Sequence, residues 1–503
     1  MAGLGVSAAP ASGTAATPSR LRRFPRTLPR IDGSRLLLAA VIVASALGAF
    51  IAGESRIVLL PVLAMLACMA TYAAVLHGRD RRLPLFEPAS FAVAATVVYG
   101  AYPLVNFIAG GLRWTPFSDS RLARLAVEPE DVAAFGWRYV LYLAAFVVTY
   151  LLIRGAAGVR TTAIRRPSRA TTVSVLLTAF LSWGLLAAIA RVFDIQYAVD
   201  YAALGSVRTI SNLPLFVAQV AQNVSSIQLL LWQLIVALLL LQWRKRIWTR
   251  PVLIGFLLVV AVDAAFTHGA RSPLVLLLMA TVLLYHRLVR PLKLAVVTAV
   301  GCALLAAFIG FGIARDFRGA DEPVPFLTAG NEFQSILGTP FDLRERIRTR
   351  EIVEIPWQVY WADLLALVPS QLLPFEKIDA STWYLRVAGI ENVGYVFGLM
   401  AQAVVGRDWL ELALRGAALA LVLALLQRWY VRRVESFWPT MMMMYLCVWM
   451  YYTIRQSTFS FLYVMIYRFL PAFVVVQVLR ILLKRTARPV RAAVASALPL
   501  APR

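Results

Sequence analysis

The sequence predicts an all-α, polytopic transmembrane bundle of about twelve spans with one large loop outside the cytoplasm. Three observations carry that reading. Hydrophobic residues make up 60% of the chain and mean hydropathy is +0.72. Apolar stretches recur at about 20 residues, the length at which a rise of about 1.5 Å per residue crosses about 30 Å of hydrocarbon. Basic residues gather between alternate stretches. A net charge of +24 and a pI near 10.7 would suggest nucleic acid in a soluble chain. Interleaved with apolar runs, the same charge sets orientation and meets anionic lipid headgroups, so no nucleic-acid partner is expected.

Residues 1–34 are rich in Ala, Ser, Pro and Arg with one acid, Asp32, and read as a basic disordered tail. The apolar run that follows is too long for a signal-peptide core and reads as an uncleaved first anchor. Spans are placed near 35–52, 57–76, 89–109, 132–153, 171–190, 222–242, 251–267, 273–286 and 292–314, so that 35–314 holds nine. Three more, near 408–430, 438–454 and 459–482, occupy 408–482, and 483–503 forms a second basic tail.

Alternate loops then divide by charge. One set carries Arg20, Arg22, Arg23, Arg26 and Arg30, then Arg79, Arg81 and Arg82. It continues through Arg154, Arg160, Arg165, Arg166 and Arg169, then Arg244, Lys245, Arg246 and Arg250. Arg287, Arg290, Lys293, Arg428, Arg432, Arg433, Lys484, Arg485 and Arg488 complete it. The opposite set is mixed in sign or nearly uncharged. The positive-inside rule therefore puts both termini in the cytoplasm. The apolar, glycine-rich segment 393–406 would break this parity as a span. It is expected to be re-entrant, interfacial or buried in protein at membrane depth.

Residues 315–407 form the longest interruption, and loops of that length are usually functional. The segment opens at the membrane exit with Arg315, Asp316, Arg318, Asp321 and Glu322. It passes Glu332 and then FDLRERIRTREIVE, with Arg344, Arg346, Arg348 and Arg350 among Glu345, Glu351 and Glu354. IPWQVYWADLLALVPSQLLPF suits an interfacial helix, and EKIDASTWYLRVAG brings Glu376, Lys377, Trp383, Tyr384 and Arg386. Asp263, His268 and Arg271 bracket the turn between spans seven and eight on the same face, and Arg455 lies between the last two spans.

Arginines on this face run against the orientation trend and need another cause. One is diphosphate recognition, because a guanidinium fork matches phosphate oxygens bidentately. The other is salt bridging to Asp316, Glu332, Glu345 and their neighbours. Arg271, Arg315, Arg318, Lys377 and Arg455 together suffice to hold two lipid-linked diphosphates. Trp383 and Tyr384 are candidates for stacking on sugar rings, whereas Trp357 and Trp361 fit an interfacial aromatic belt.

Several classes have no visible machinery. The chain has no Walker A sequence, no GxGxxG after a strand, no CxxC pair and no HExxH helix. Cys68, Cys302 and Cys447 fall inside apolar runs and suggest no disulfide framework. His77, His268 and His286 are the only histidines, so no multi-histidine metal site is expected.

This arrangement resembles the O-antigen and oligosaccharide repeat-unit polymerases (Wzy type) of bacterial envelopes. The likeness rests on topology and, locally, on HGARSPL at the seventh–eighth turn, ARDFRG opening the large loop, and PFEKIDASTWYLRVAGIENVGYVFGLMAQAVVG. Members often place an acidic residue near the end of such a glycine-rich stretch; here Gln402 stands in that place. The resemblance implies a GT-C-like enzyme of the bacterial inner membrane, without metal or other cofactor. It would transfer a growing glycan from undecaprenyl diphosphate to another lipid-linked repeat unit at the periplasmic face. Its partners would be that lipid-linked oligosaccharide and membrane lipids, with a chain-length regulator protein as a further candidate.

For such chemistry the expected catalytic residues are Arg271, Arg315, Asp316, Arg318 and Glu332, and the expected substrate contacts are His268, Glu376, Lys377, Trp383, Tyr384 and Arg455. Asp316, Glu332, Glu376 and His268 are the candidate bases for the acceptor hydroxyl. The related O-antigen ligases share the architecture. A flippase would place charges along its spans, where Arg138, Asp263 and Arg415 are among the few present.

Overall fold

The computed structural model describes residues 56–80, 85–110, 128–155, 163–195, 213–243, 245–267, 272–293, 296, 299–301, 303, 331–389 and 397–497. Among these residues every regular element is a helix. In chain order the first seven are α1 (Arg56–Asp80), α2 (Pro88–Gly110), α3 (Pro129–Arg154), α4 (Arg169–Val192), α5 (Leu215–Gln242), α6 (Thr249–Thr267) and α7 (Ser272–Leu288). Shorter pieces follow: α8 (Asn331–Arg348), α9 (Trp357–Tyr360), α10 (Ala362–Leu365), α11 (Ala380–Ala388) and α12 (Gly398–Val405). The chain then returns to the bundle as α13 (Trp409–Val431) and α14 (Phe437–Trp449), makes a single turn α15 (Tyr452–Arg455), and ends with α16 (Ser460–Val464) and α17 (Leu470–Ala497). A π-helical turn, Met465–Phe469, joins α16 to α17.

Seven of these helical stretches are long and apolar enough to cross a membrane: Arg56–His77, Pro88–Ile108, Pro129–Arg154, Arg169–Val192, Phe216–Gln242, Trp409–Val431 and Ser460–Arg485. Thr249–Val262 and Leu274–Leu288 are shorter apolar helices where sequence predicts spans. The expected span at 438–454 is a 13-residue helix that stops at Trp449. The expected span at 35–52 and most of 292–314 lie outside the described residues. The structure is thus that of a helical membrane protein.

The first packing unit is α1, α2, α3 and α13. Helices α3 and α13 run side by side in the same direction, since Arg138 meets Asp408 near one end and Arg428 donates to the Arg154 carbonyl at the other. Small residues allow the approach, as is usual where helices pack in lipid. A Cβ at Gly416 would run into the Tyr142 carbonyl, and a Cβ at Gly136 would run into Pro61 and Leu104. The second unit is α4, α5, α7 and α17, with Ser182 donating to Gln228 between α4 and α5 at 2.5 Å. Helix α14 bridges the units by packing on α2 and α7.

One end of the bundle gathers the arginine-rich connections. Arg165 pairs with Glu435 at 3.3 Å, Arg166 donates to the Leu241 carbonyl, and Arg287 donates to the Val434 carbonyl at 2.9 Å. Just inside that end, Glu87 and Arg154 form a short ion pair with both side chains almost fully buried. Tyr150 donates to Glu87 at 2.8 Å and Gln427 at 3.2 Å, so the carboxylate is served from α3 and α13. The opposite end carries α8 to α12. These have a core of their own, built from Leu343, Ile352, Val359, Trp383, Tyr384, Phe397 and Ala401 among others. Helix α12 has eight residues, too few to cross a bilayer, and all but Val404 are buried in protein.

Candidate functional site

The polar chemistry at the long-loop end is organised around the start of α13. The chain enters that helix through Asp408, a non-glycine residue at φ 46° and ψ −109°. Such a backbone is uncommon for a residue with a Cβ and persists where the surroundings hold it. Arg138 of α3 supplies that hold. Its Nε donates to Oδ1 of Asp408 at 2.7 Å and its Nη2 to Oδ2 at 2.6 Å, a bidentate pair. The same guanidinium lies over the Trp409 ring, 4.7 Å from its centroid.

Arg344 of α8 makes the third member. Its Nη2 donates to Oδ2 of Asp408 at 3.4 Å. Two guanidiniums thus share one carboxylate, with Asp131 as a further negative charge acting on Arg344. The Arg344 side chain keeps 40% of its surface exposed, against 8% for Arg138. Burial, followed by repulsion from Arg138, pushes the Arg344 guanidinium down from its ordinary value, while Asp408 and Asp131 oppose the shift. Arginine remains charged at any physiological pH, and the shift records first the partial desolvation of that cation. Arg138 and Arg344 face a narrow crevice whose other walls are Phe135, Pro340, Phe341, Met400 and Val404. An exposed guanidinium above an apolar wall suits an anionic group carried on an apolar chain.

A second cluster lies two turns further along α13. Arg415 bonds Glu411 on its own helix, with Nε to Oε1 at 2.7 Å, and makes a short ion pair with Asp363 of α10. The other Glu411 oxygen accepts the Arg407 backbone N–H at 3.0 Å. Gln402 of α12 donates to the Val359 and Tyr360 carbonyls at 2.9 and 3.3 Å. These bonds fasten α9 and α10 to the bundle. Gln402 thereby has a positioning role. Trp357 and Trp361 remain about half exposed beside it, as an interfacial belt requires.

The third cluster is internal to the loop. Asp342 accepts Arg346 Nε at 2.7 Å and the Tyr384 hydroxyl at 2.8 Å, and Arg346 reaches Glu351 at 2.9 Å. Asp342, Arg346 and Tyr384 are all buried. Arg348 forms an exposed pair with Glu345 at 2.6 Å, whose hydrogen bond holds the Glu345 carboxyl below the usual range.

The sequence-predicted residues distribute as follows. Tyr384 and Trp383 sit in the loop core, with 1% and 8% of their surfaces exposed. Lys377 donates to the Val368 carbonyl at 3.1 Å, and burial lowers its ammonium from the ordinary value. Glu376 is exposed. Arg455 lies over the Tyr452 ring at 5.7 Å, beside the α12 start, where a Cβ on Gly398 would stand 3.9 Å from the Arg455 carbonyl. Glu332 is on α8, and nothing is described of its side chain. Arg271, His268, Arg315, Asp316 and Arg318 lie outside the described residues. Sequence reasoning marked Arg138 and Arg415 as charges in spans but missed their partners. It also missed Glu87, which precedes a span and carries no motif. No signal in the sequence marked the Arg138–Asp408–Arg344 group, since acidic residues outnumber basic ones over 315–407.

No family model, curated protein or solved structure matches this chain.

Proposed function

We propose that this chain is a membrane glycosyltransferase that polymerises lipid-linked oligosaccharide repeat units at the long-loop end of its bundle. The donor is a glycan on a polyprenyl diphosphate, undecaprenyl diphosphate in a bacterial inner membrane. The C1–O bond to the diphosphate breaks, and C1 bonds to a hydroxyl oxygen of the acceptor repeat unit. The hydroxyl proton passes to a carboxylate or imidazole of the long-loop face, and the polyprenyl diphosphate leaves with the bonding pair. Glu376 is the one candidate base in this set whose side chain is described and exposed; Asp316, Glu332 and His268 are the others. Both termini are assigned to the cytoplasm by the positive-inside rule, which puts this end in the periplasm.

The observation that carries this reading is the half-exposed Arg344 guanidinium sharing Asp408 with Arg138 at the rim of the membrane-crossing helices. A fixed cation there stabilises the charge that develops on a leaving diphosphate. A flippase would need mobile charges along its spans, whereas Arg138, Arg415 and Arg154 are each tied to carboxylates and Arg468 is stacked over the Trp449 ring.

The test is a gel of surface glycan, with extracted carrier lipid, from a deletion strain carrying plasmid variants. Loss of a polymerase leaves single repeat units attached to the final acceptor. Long chains stranded on the carrier would overturn polymerisation in favour of ligation to the final acceptor. Arg344→Ala is expected to shorten the ladder at unchanged protein level, through the loss of about 2–4 kcal/mol of transition-state stabilisation. Arg315→Ala and Arg318→Ala are expected to act likewise, and a full-length ladder from all three variants would refute the assignment of diphosphate to this face.

A further inference from the structure

Three arginines of the first packing unit have carboxylates: Arg138 has Asp408, Arg154 has Glu87, and Arg415 has Asp363 and Glu411. Arg468, in the last membrane-crossing stretch, has none among the described residues. Its guanidinium lies over the Trp449 ring, 4.7 Å from the centroid, and is half-buried. It stands in the π-helical turn Met465–Phe469. Such turns interrupt α-helices, frequently at functional positions. Intramembrane cations are costly and rarely retained without a use.

The surroundings repeat the deficit. The Tyr445 hydroxyl and the Trp449 indole N–H are buried and lie close enough for the indole to donate to the phenol oxygen, which leaves the phenol proton without an acceptor. Tyr445 packs 6.0 Å from Trp449 and 5.6 Å from Phe469, centroid to centroid. Arg468 lies close enough to the Tyr445 phenol to act on it electrostatically. The phenol proton and the Arg468 guanidinium thus converge without an acceptor among the described residues, and unsatisfied buried donors are rare in folded proteins. The neighbouring Tyr467 fixes the depth. Its hydroxyl donates to the Leu367 carbonyl of the long loop at 3.3 Å, so the turn lies at the membrane rim on the long-loop side.

We propose that Arg468, Trp449 and Tyr445 form a recognition site for the phosphate of a membrane-embedded lipid. The guanidinium supplies charge and a planar fork, the phenol, backed by the indole, supplies a neutral donor, and the exposed Ile466 and Leu470 of the same stretch offer an apolar path for the chain. Two lipids carry this chemistry, an ordinary anionic phospholipid and a polyprenyl phosphate. The inference rests on membrane placement and is independent of glycosyl transfer, so it is tested by binding without turnover. Its failure leaves the transfer proposal standing.

The experiment uses the purified full chain in a phosphate-free maltoside detergent, with radiolabelled farnesyl phosphate as probe and farnesol as the chain-only control. The wild type is expected to retain farnesyl phosphate over farnesol. Arg468→Ala and Arg468→Gln are expected to lose about tenfold in retention, the size of one charge-assisted hydrogen bond. Trp449→Phe, which keeps an aromatic ring and removes the N–H, is expected to lose a smaller part. Mole-for-mole displacement by phosphatidylglycerol identifies the phospholipid headgroup as the natural occupant, and resistance to it identifies a polyprenyl phosphate. Equal retention by the wild type and the monodisperse variants overturns the proposal. If the alanine variant does not fold, Arg468→Lys and Trp449→Phe carry the same comparison.

Discussion

Single residues in this chain do their work in pairs that are far apart in sequence. Glu87 and Arg154 are the most deeply buried such pair, with 2% and 1% of their side chains exposed. Removing one partner leaves an isolated charge in an apolar interior, which costs about 3–5 kcal/mol. Arg154→Met alone is therefore expected to lower thermal stability in detergent sharply, and Glu87→Gln with Arg154→Met to recover much of the loss. A double variant as unstable as the sum of the singles would show that the pair is not coupled. Tyr384 offers a contrasting case. Its hydroxyl serves Asp342 from inside the loop core, so Tyr384→Phe is expected to cost about 1–2 kcal/mol of stability and to leave glycan length unchanged. A shortened ladder in a stable Tyr384→Phe variant would show contact with substrate instead. Neither pairing was legible in the sequence. Hydropathy and charge parity locate spans because both are local sums, whereas Arg138 and Asp408 are 270 positions apart, and no local pattern joins them.

At the scale of elements, the close approach of α3 and α13 depends on one missing side chain. Gly416 faces the Tyr142 backbone, so the obstacle to a larger residue is a carbonyl that cannot rotate away. Gly416→Leu is expected to separate the helices and destabilise the protein by at least about 1–3 kcal/mol, the usual cost of overpacking. Because Arg138 and Asp408 sit on these two helices, the same substitution should disturb the candidate site, and thermal unfolding in detergent alongside the glycan ladder would report both. Wild-type stability in the leucine variant would mean that the helices part without cost. Helix α12 was foreseen as an apolar segment that does not cross the bilayer. Its burial arises from partners that the sequence pattern does not show, namely α8 and α15. The last two expected spans are interrupted where the pattern suggested continuity. Hydropathy is blind to hydrogen-bond register, so the stop of α14 at Trp449 and the π turn at Met465 left no trace in it.

For the whole molecule, the sequence divided the loops by charge, and the structure divides them in space. Arg165, Arg166, Arg287 and Arg428 meet at one end, with Glu87 and Glu435 as the acids among them. Helices α8 to α12 lie at the other end with Arg138, Arg344 and Asp408. This agreement comes from unrelated sources, since charge parity uses no packing and packing uses no membrane. It leads to a topology that a labelling experiment decides. Cys68 and Cys447 are the free cysteines among the described residues, half-buried and buried, and Cys302 is the third in the chain. With these replaced by alanine, single cysteines are introduced at exposed positions that have no ion pair among the described residues: Arg350 and Arg386 on the long loop, and Lys245 at the arginine-rich end. An impermeant maleimide added to intact spheroplasts should label Arg350→Cys and Arg386→Cys but not Lys245→Cys, which should react only after lysis. The reason is that an arginine-rich end is retained against the anionic cytoplasmic leaflet, at about 1 kcal/mol for each basic residue near the surface. Labelling of Lys245→Cys in intact spheroplasts, with both loop positions protected, would invert the molecule. It would also put the Arg344 and Arg468 sites at the cytoplasmic face, where a periplasmic glycan polymerase has no substrate.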